Sequence, residues 1–454
     1  MTENVNVRRV CLDALVLVME DKKFLNEVLG DTLSKYQYLE KNKRSYISRM
    51  LRGTVERYIE LDACISAYSS IKINKLNPYI RNILRLAIYE IKYMDSIPDS
   101  ATCNEYVKLA KKKAPSRLSG FVNGILRSML RSDFDKVHLQ ENEVYSMPKW
   151  LYDMFEDEYS DAKGICKAFL DDNQLTIRAN LAKCEPDKLR AELEAQGINA
   201  KPVSADDILD SKGNKETANL DFAFAIENVD YLEGVKAFKE GLFYVQDISS
   251  MMIGAKANVN PGDIIIDVCA APGGKSLHMA ELLKWFEKSS DNSKKGHVYS
   301  YDVSENKVAL IRENIARSGL DNISAALGDA RVSNPDLIDK ADIVIADLPC
   351  SGLGVIGKKP DIKSRIKLED IQQLSELQLE ILNVCKNYVK VGGTLMYSTC
   401  TVSKAENSDN VKRFLELNKE FRLIEERQYM PSKLQDGFYI ARLIRKSRTP
   451  STSA

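Results

Sequence analysis

Between residues 241 and 446, short apolar runs alternate with longer helical patterns, and no other feature restricts the fold as tightly. Strand candidates are 264–268, 297–301, 323–327, 343–346, 394–397 and 438–443, with helical periodicity at 304–318 and 368–388. Strands separated by helices imply a doubly wound, mostly parallel α/β sheet. In such sheets ligands bind beyond the carboxyl ends of the strands. Several of these runs end in residues able to do chemistry: Asp302 closes the second, Asp329 follows the third, Asp347 and Cys350 follow the fourth, and Cys400 follows the fifth.

The bulk properties narrow the function. The chain has 454 residues, 44% hydrophobic and 29% charged, ordinary for globular domains. No apolar run reaches the roughly 18 residues of a membrane span, and Met1-Thr2-Glu3-Asn4 lacks the character of a signal peptide, so a cytoplasmic location is expected. Nine cysteines without CxxC spacing argue against a disulfide framework or a metal site. Three histidines (His138, His278, His297) give little support to a Ser-His-Asp or metallo-hydrolase site.

Residues 1–140 read as all-helical, with Leu12, Leu15, Val16 and Val18, then Ile80, Ile83, Leu84, Ala87 and Ile88, at helical spacing. They carry 24 Lys and Arg against 16 Asp and Glu, a net +8 in a chain of zero formal charge. That charge gathers in Lys41-Asn42-Lys43-Arg44 and in Lys111-Lys112-Lys113 with Arg117, Arg127 and Arg131. A phosphate-binding surface and a solvated helix face fit such runs equally well. Ile83-Leu84-Arg85-Leu86-Ala87-Ile88-Tyr89-Glu90, Asn104-Glu105-Tyr106-Val107-Lys108-Leu109-Ala110-Lys111 and Phe121-Val122-Asn123-Gly124-Ile125-Leu126 resemble, in order, the NusB family of helical RNA-binding domains.

Residues 141–240 read as a small α+β domain, with a strand at 175–180, a helix at 185–196 closed by Gly197, and a polar loop at 206–219. It serves as an RNA-facing sheet or as a plain linker domain. Residues 447–454 read as a disordered Ser/Thr/Pro tail.

The first long strand runs into Cys269-Ala270-Ala271-Pro272-Gly273-Gly274-Lys275, after which a helix opens. Small residues let backbone N–H groups approach a ligand at a helix N-terminus. Asp302 is placed to reach ribose hydroxyls, and Asp329 to accept from an adenine amino group. This combination resembles S-adenosylmethionine-dependent methyltransferases. Cys-Ala-Ala-Pro-Gly-Gly-Lys, Asp347-Leu348-Pro349-Cys350-Ser351-Gly352 and Ser398-Thr399-Cys400-Thr401, in this order, resemble the Nop/Sun family of bacterial RNA cytosine-C5 methyltransferases. Together with the NusB-like segment, the resemblance spans nearly the whole chain and points to the members that act on 16S ribosomal RNA.

That resemblance implies a Rossmann-like methyltransferase domain over 241–446, S-adenosylmethionine as cofactor and an unpaired or loop cytosine as target. A thiolate adding at cytosine C6 makes C5 nucleophilic, which explains the need for cysteine. Spacing alone does not say which thiol attacks. The RNA enzymes imply Cys400 as nucleophile with Cys350 assisting elimination, whereas DNA enzymes use a cysteine after proline, which would be Cys350. Lys275 is a candidate electrostatic helper, and Asp347 a candidate partner of the cytosine N3/N4 edge. The basic segment 354–365 resembles the family's Pro-Asp-Ile loop, so Lys358, Lys359, Lys363 and Arg365 are the expected phosphate contacts. Two residues depart from the family pattern: Leu348 stands where a small residue is usual, and Ser364 where an aromatic one is frequent. Cys11, Cys64, Cys103, Cys166, Cys184 and Cys385 are expected to be inert packing residues, and His278 to pack or cap. Two other functions fit the chain: transfer RNA cytosine methylation, and a non-catalytic RNA-binding or antitermination scaffold.

Overall fold

The computed structural model describes residues 5–95, 97–115, 117–132, 137–229, 231–289 and 294–446. The expected disordered tail, 447–454, lies outside them. The described residues form two compact units, one drawn from 1–170 with 356–366, the other from 171–355 with 367–446.

The first unit is helical. Its central helix, Pro78–Tyr93, starts where Asn77 accepts from the N–H groups of Tyr79 (3.0 Å) and Ile80 (3.4 Å), with Pro78 in the first turn. Ile80, Ile83, Leu84, Ala87 and Ile88 form its buried stripe, as their spacing predicts. The same helix buries Glu90, which is fully enclosed. Arg8 pairs with it, and the hydroxyls of Tyr46 (2.5 Å), Thr102 (2.8 Å) and Tyr106 (3.0 Å) donate to it. Burial alone would raise this carboxyl, but Arg8 and the hydroxyls reverse the effect and hold it below its ordinary value.

Among its described residues the second unit holds two sheets. The smaller has order β2-β3-β1-β4, all antiparallel: β1 (Leu175–Ala179), β2 (Asn199–Pro202), β3 (Ala223–Glu227) and β4 (Phe243–Val245). The larger has seven strands in the order β10-β11-β9-β8-β5-β6-β7. These are β5 (Ile264–Asp267), β6 (His297–Asp302), β7 (Ile323–Leu327), β8 (Ala341–Asp347), β9 (Val389–Thr399), β10 (Phe421–Tyr429) and β11 (Phe438–Arg445). β5 to β9 pair in parallel, and β11 inserts antiparallel between β9 and β10.

Alternation across the sheet explains the apolar runs. Ile265, Ile343, Ile345 and Met396 pack into one core cluster, while Ile266, Val344, Ala346, Leu395 and Tyr397 pack into another. Both faces are covered, so these strands read as continuous hydrophobic stretches. The strand order turns back at β5, with β8 on one side and β6 on the other. That reversal opens the crevice where a ligand belongs. No helix among the described residues is long and apolar enough to cross a membrane.

Candidate active site

β5 delivers Asp267 to the floor of the crevice, and the chain turns through residues 268–273 into the helix Gly274–Ser289. Asp267 is buried; the Ser276 hydroxyl donates to its Oδ2 at 2.6 Å. Burial, reinforced by Asp347, pushes this carboxyl up to about 7. The turn is stitched to β6 by its backbone: the Ala270 N–H donates to the Tyr301 carbonyl (2.8 Å), and the Ala271 N–H to Asp302 Oδ2 (3.1 Å). Gly273 has φ +106°, a conformation that L side chains avoid, so the turn stays bare at the helix N-terminus. Asp302 Oδ1 also accepts the Val303 N–H at 2.8 Å.

Asp329 lies beyond β7, held by Arg331, whose Nε and Nη2 donate to its two oxygens at 3.0 and 2.6 Å. These bonds draw the carboxyl down to about 2. Beside it is a cavity of about 300 Å³ walled by Val268, Tyr301, Leu327, Leu337 and Tyr388, with Asp329 at its lining.

The thiols sit on the other side of β5. The β8–β9 register pairs Asp347 with Ser398, so the two strands end level and their loops leave side by side. Cys350 and Cys400 then meet with their Sγ atoms 3.3 Å apart. The Gly354 N–H donates to the Cys400 carbonyl (3.0 Å), and the Gly437 N–H to the Gly354 carbonyl (2.9 Å). A Cβ on Gly354 would stand 1.8 Å from the Gly437 carbonyl oxygen, so this closure requires glycine. Lys275 Nζ donates to Asp347 Oδ2 at 2.7 Å, and the Ser398 hydroxyl to Oδ1 at 2.7 Å. Burial works to lower the Lys275 ammonium, but Asp347, Asp267 and Cys400 outweigh it and raise it. The Cys350 thiol is driven well above its ordinary value by its hydrogen bond to Cys400, by burial and by the nearby Glu406. Cys269 is also pushed up by burial, in line with a backbone role in the turn.

The basic segment differs from its expectation. Lys359 is exposed and Lys358 half-buried, but Lys363 is 3% exposed and donates to the carbonyls of Glu56 (2.6 Å) and Ser146 (2.8 Å) inside the helical unit. Arg365 stacks over Phe24 at 3.9 Å and pairs with Asp361 at 3.3 Å. Lys363 is therefore an anchoring group in this structure, because the turn Pro360–Ser364 buries Pro360 and Asp361 with it, whereas Arg365, just beyond the turn, stays half-buried. Leu348 points into the sheet's core cluster and Ser364 bonds back to the Asp361 carbonyl at 2.9 Å. His278 packs edge-on against Phe222, and Cys11, Cys64, Cys103, Cys166 and Cys385 are buried.

Sequence reasoning missed Glu406 and Gln378. Glu406 is fully buried beside the thiol loops, where Gln378 donates to its Oε1 at 3.0 Å. A signal was present: Ile371, Ser375, Gln378 and Leu382 lie on one helical stripe of Leu368–Cys385, and two polar residues in an otherwise apolar face ask for buried partners.

Comparisons with known proteins agree with this architecture. Residues 256–444 match the profile of 16S rRNA methyltransferase RsmB/F, residues 5–131 the NusB family, and residues 147–209 the ferredoxin-like domain of RsmF/B-like methyltransferases. The chain is 33% identical to the probable ribosomal RNA small subunit methyltransferase B of Bacillus subtilis, over 92% of this chain and 89% of that one. The chain belongs to the RsmB/F methyltransferase family. It is 28% identical to ribosomal RNA small subunit methyltransferase B of Proteus mirabilis, covering 98% and 100% of the two chains. Among solved structures, PH0851 shares the fold with a TM-score of 0.78 at 21% identity, over 97% of this chain and 99% of that one. NSun6 from Pyrococcus horikoshii, solved with SFG, aligns at TM-score 0.54 and 25% identity, over 67% of this chain and 100% of that one. RsmB/F enzymes are S-adenosylmethionine-dependent, and the residues here fit that cofactor. The apolar cavity beside Asp329 suits an adenine ring, Asp302 suits ribose hydroxyls, and the bare turn at Gly273 admits a ligand against backbone. Among the described residues no group of three or more His, Cys, Asp or Glu is arranged to hold a metal ion.

Proposed function

We propose that this methyltransferase modifies C5 of an unpaired cytosine in 16S ribosomal RNA, with Cys400 as nucleophile and Cys350 as its partner in elimination. The 3.3 Å thiol pair with unlike neighbours carries the reading. Cys400 lies in the field of the Lys275 ammonium, while Cys350 lies in that of the Glu406 carboxylate. The bond to Cys400, burial and the Glu406 carboxylate hold Cys350 as the thiol, and the Lys275 ammonium stands on the Cys400 side of the pair, so the neighbours set Cys400 apart as the attacking sulfur.

The residues then act in order. Cys400 Sγ adds to C6 as the C5–C6 π electrons shift into a C4–C5 double bond and N3 takes up a proton from solvent. The Asp347 carboxylate accepts hydrogen bonds from the protonated N3/N4 edge. When bound, S-adenosylmethionine would supply an electrophilic methyl group for C5, its sulfonium leaving as the neutral thioether. The C5 proton then passes to solvent, its C–H electrons restore the C5–C6 double bond, the C6–S bond breaks to return Cys400 as thiolate, and N3 releases its proton. The Cys350 thiol, within hydrogen-bond reach of Cys400, assists by donating to the departing sulfur. Asp302, Asp329 and the 269–275 turn bind the cofactor, and Lys275 also holds Asp347 in place. Lys358 and Lys359 are the remaining phosphate contacts on the basic segment.

The name shared by the relatives supports small-subunit RNA as substrate. Bisulfite sequencing of ribosomal and transfer RNA, with and without the protein, tests it: one small-subunit site should lose its 5-methylcytosine. Intact ribosomal sites with lost transfer RNA methylation would contradict it, as would no change in either RNA.

A further inference from the structure

Glu406 lies between the two loops that carry the thiols. The Ser351 N–H donates to its Oε1 at 2.9 Å and the Ser351 hydroxyl to its Oε2 at 2.5 Å. The Thr401 hydroxyl reaches Oε2 at 3.3 Å, and Ser351 Oγ and Thr401 Oγ1 are themselves 2.7 Å apart. Ser351 follows Cys350 and Thr401 follows Cys400, so one carboxylate is bonded to the residue after each thiol. Gln378 completes the cage at 3.0 Å and also donates to the Pro349 carbonyl at 2.9 Å, on the other side of Cys350. The Tyr397 hydroxyl fixes the Glu406 carbonyl from β9.

A buried carboxylate is a poor device for stability, since its desolvation offsets most of what its bonds return. Its bonds here converge on the flanks of two sulfurs, one loop on each side. We infer that Glu406 is a positioning residue: its carboxylate ties the Cys350 loop to the Cys400 loop and so sets the separation and aim of the two thiols. This rests on the cysteine reading of the reaction. A tie of this kind governs chemistry rather than binding, because the Glu406 carboxylate bonds to Ser351, Gln378 and Thr401 and does not line the cavity beside Asp329. Misplacing a reacting group by about 1 Å costs about 100-fold in rate.

The test compares Glu406→Ala with Glu406→Gln in single-turnover methyl transfer to small-subunit RNA. Glu406→Ala should lower the rate about 100-fold, with S-adenosylmethionine affinity and the RNA concentration dependence unchanged. Glu406→Gln should recover to within about 10-fold of wild type, since the Ser351 and Thr401 hydroxyls can turn to accept from its amide. Should Glu406→Ala fail to fold, Thr401→Val removes one tie alone and should lower the rate while leaving cofactor affinity intact. A folded Glu406→Ala (or, failing that, Thr401→Val) with wild-type rate overturns the inference, as does Glu406→Gln no better than Glu406→Ala. Loss of activity in Cys400→Ala beside a normal Glu406→Ala would sink this inference alone; an active Cys400→Ala would sink the cysteine reading beneath it.

Discussion

The two sides of the crevice are built from different materials. Beyond β5, β6 and β7 the chain offers backbone: a bare glycine turn, N–H groups bonded to Asp302, and an apolar cavity with one carboxylate in its lining. Beyond β8 and β9 it offers side chains: two sulfurs and a caged carboxylate, with the Lys275 ammonium reaching Asp347 from the turn after β5. Holding a cofactor needs shape and a few fixed donors. Breaking and making bonds at a base needs groups whose protonation is tuned by neighbours. The difference predicts that changes on the first side move cofactor affinity, whereas changes on the second move chemistry at nearly constant affinity.

The largest effect belongs to Cys400. Cys400→Ala should reduce methyl transfer below detection, by at least about a thousandfold, while calorimetry gives unchanged S-adenosylmethionine binding. Cys350→Ala comes next: addition should proceed and release should stall, so a covalent protein–RNA species should accumulate on a denaturing gel. Its absence, with turnover preserved, would make the two thiols independent and break the pairing argument.

On the cofactor side, Asp302→Ala removes a charged acceptor worth about 1.5–3 kcal/mol, or about 10- to 100-fold in affinity. The transfer rate at saturating cofactor should stay close to wild type. If that rate collapsed instead, the division between the two sides would be false.

The last prediction is a control outside the crevice, with no effect on methyl transfer at neutral pH. Lys363 is buried in the helical unit against two backbone carbonyls, and burial pulls its ammonium down to about 7. Between that pH and its ordinary 10.5 the unfolded chain holds a proton that the folded chain lacks. Stability should therefore rise with pH across that window and be flat in this respect below it. Urea denaturation at several pH values checks the slope, which Lys363→Met should remove. An unchanged slope would mean that the amine is hydrated.

How much of this could be read beforehand follows the same division. β5 and β8 were legible because strands covered on both faces are continuous apolar runs bounded by turns. β10 was not, since this edge strand carries Arg422, Glu425, Glu426 and Arg427, and reads as a polar surface segment. The glycine turn and both cysteines were visible as motifs. Glu406 was hidden, because its partners come from three separate segments that only folding brings together. The basic segment misled for a related reason: charge in a sequence does not reveal direction, and Lys363 turned inward to backbone carbonyls.

The central claim is a bond between one particular sulfur and C6 of cytosine. RNA carrying 5-fluorocytosine at the target position, incubated with protein and S-adenosylmethionine, should trap that bond because fluorine cannot leave as a proton does. After nuclease and protease digestion, mass spectrometry should find the nucleotide on the peptide containing Cys400. A nucleotide on the Cys350 peptide, or a methylated product with no adduct on either, would contradict the account.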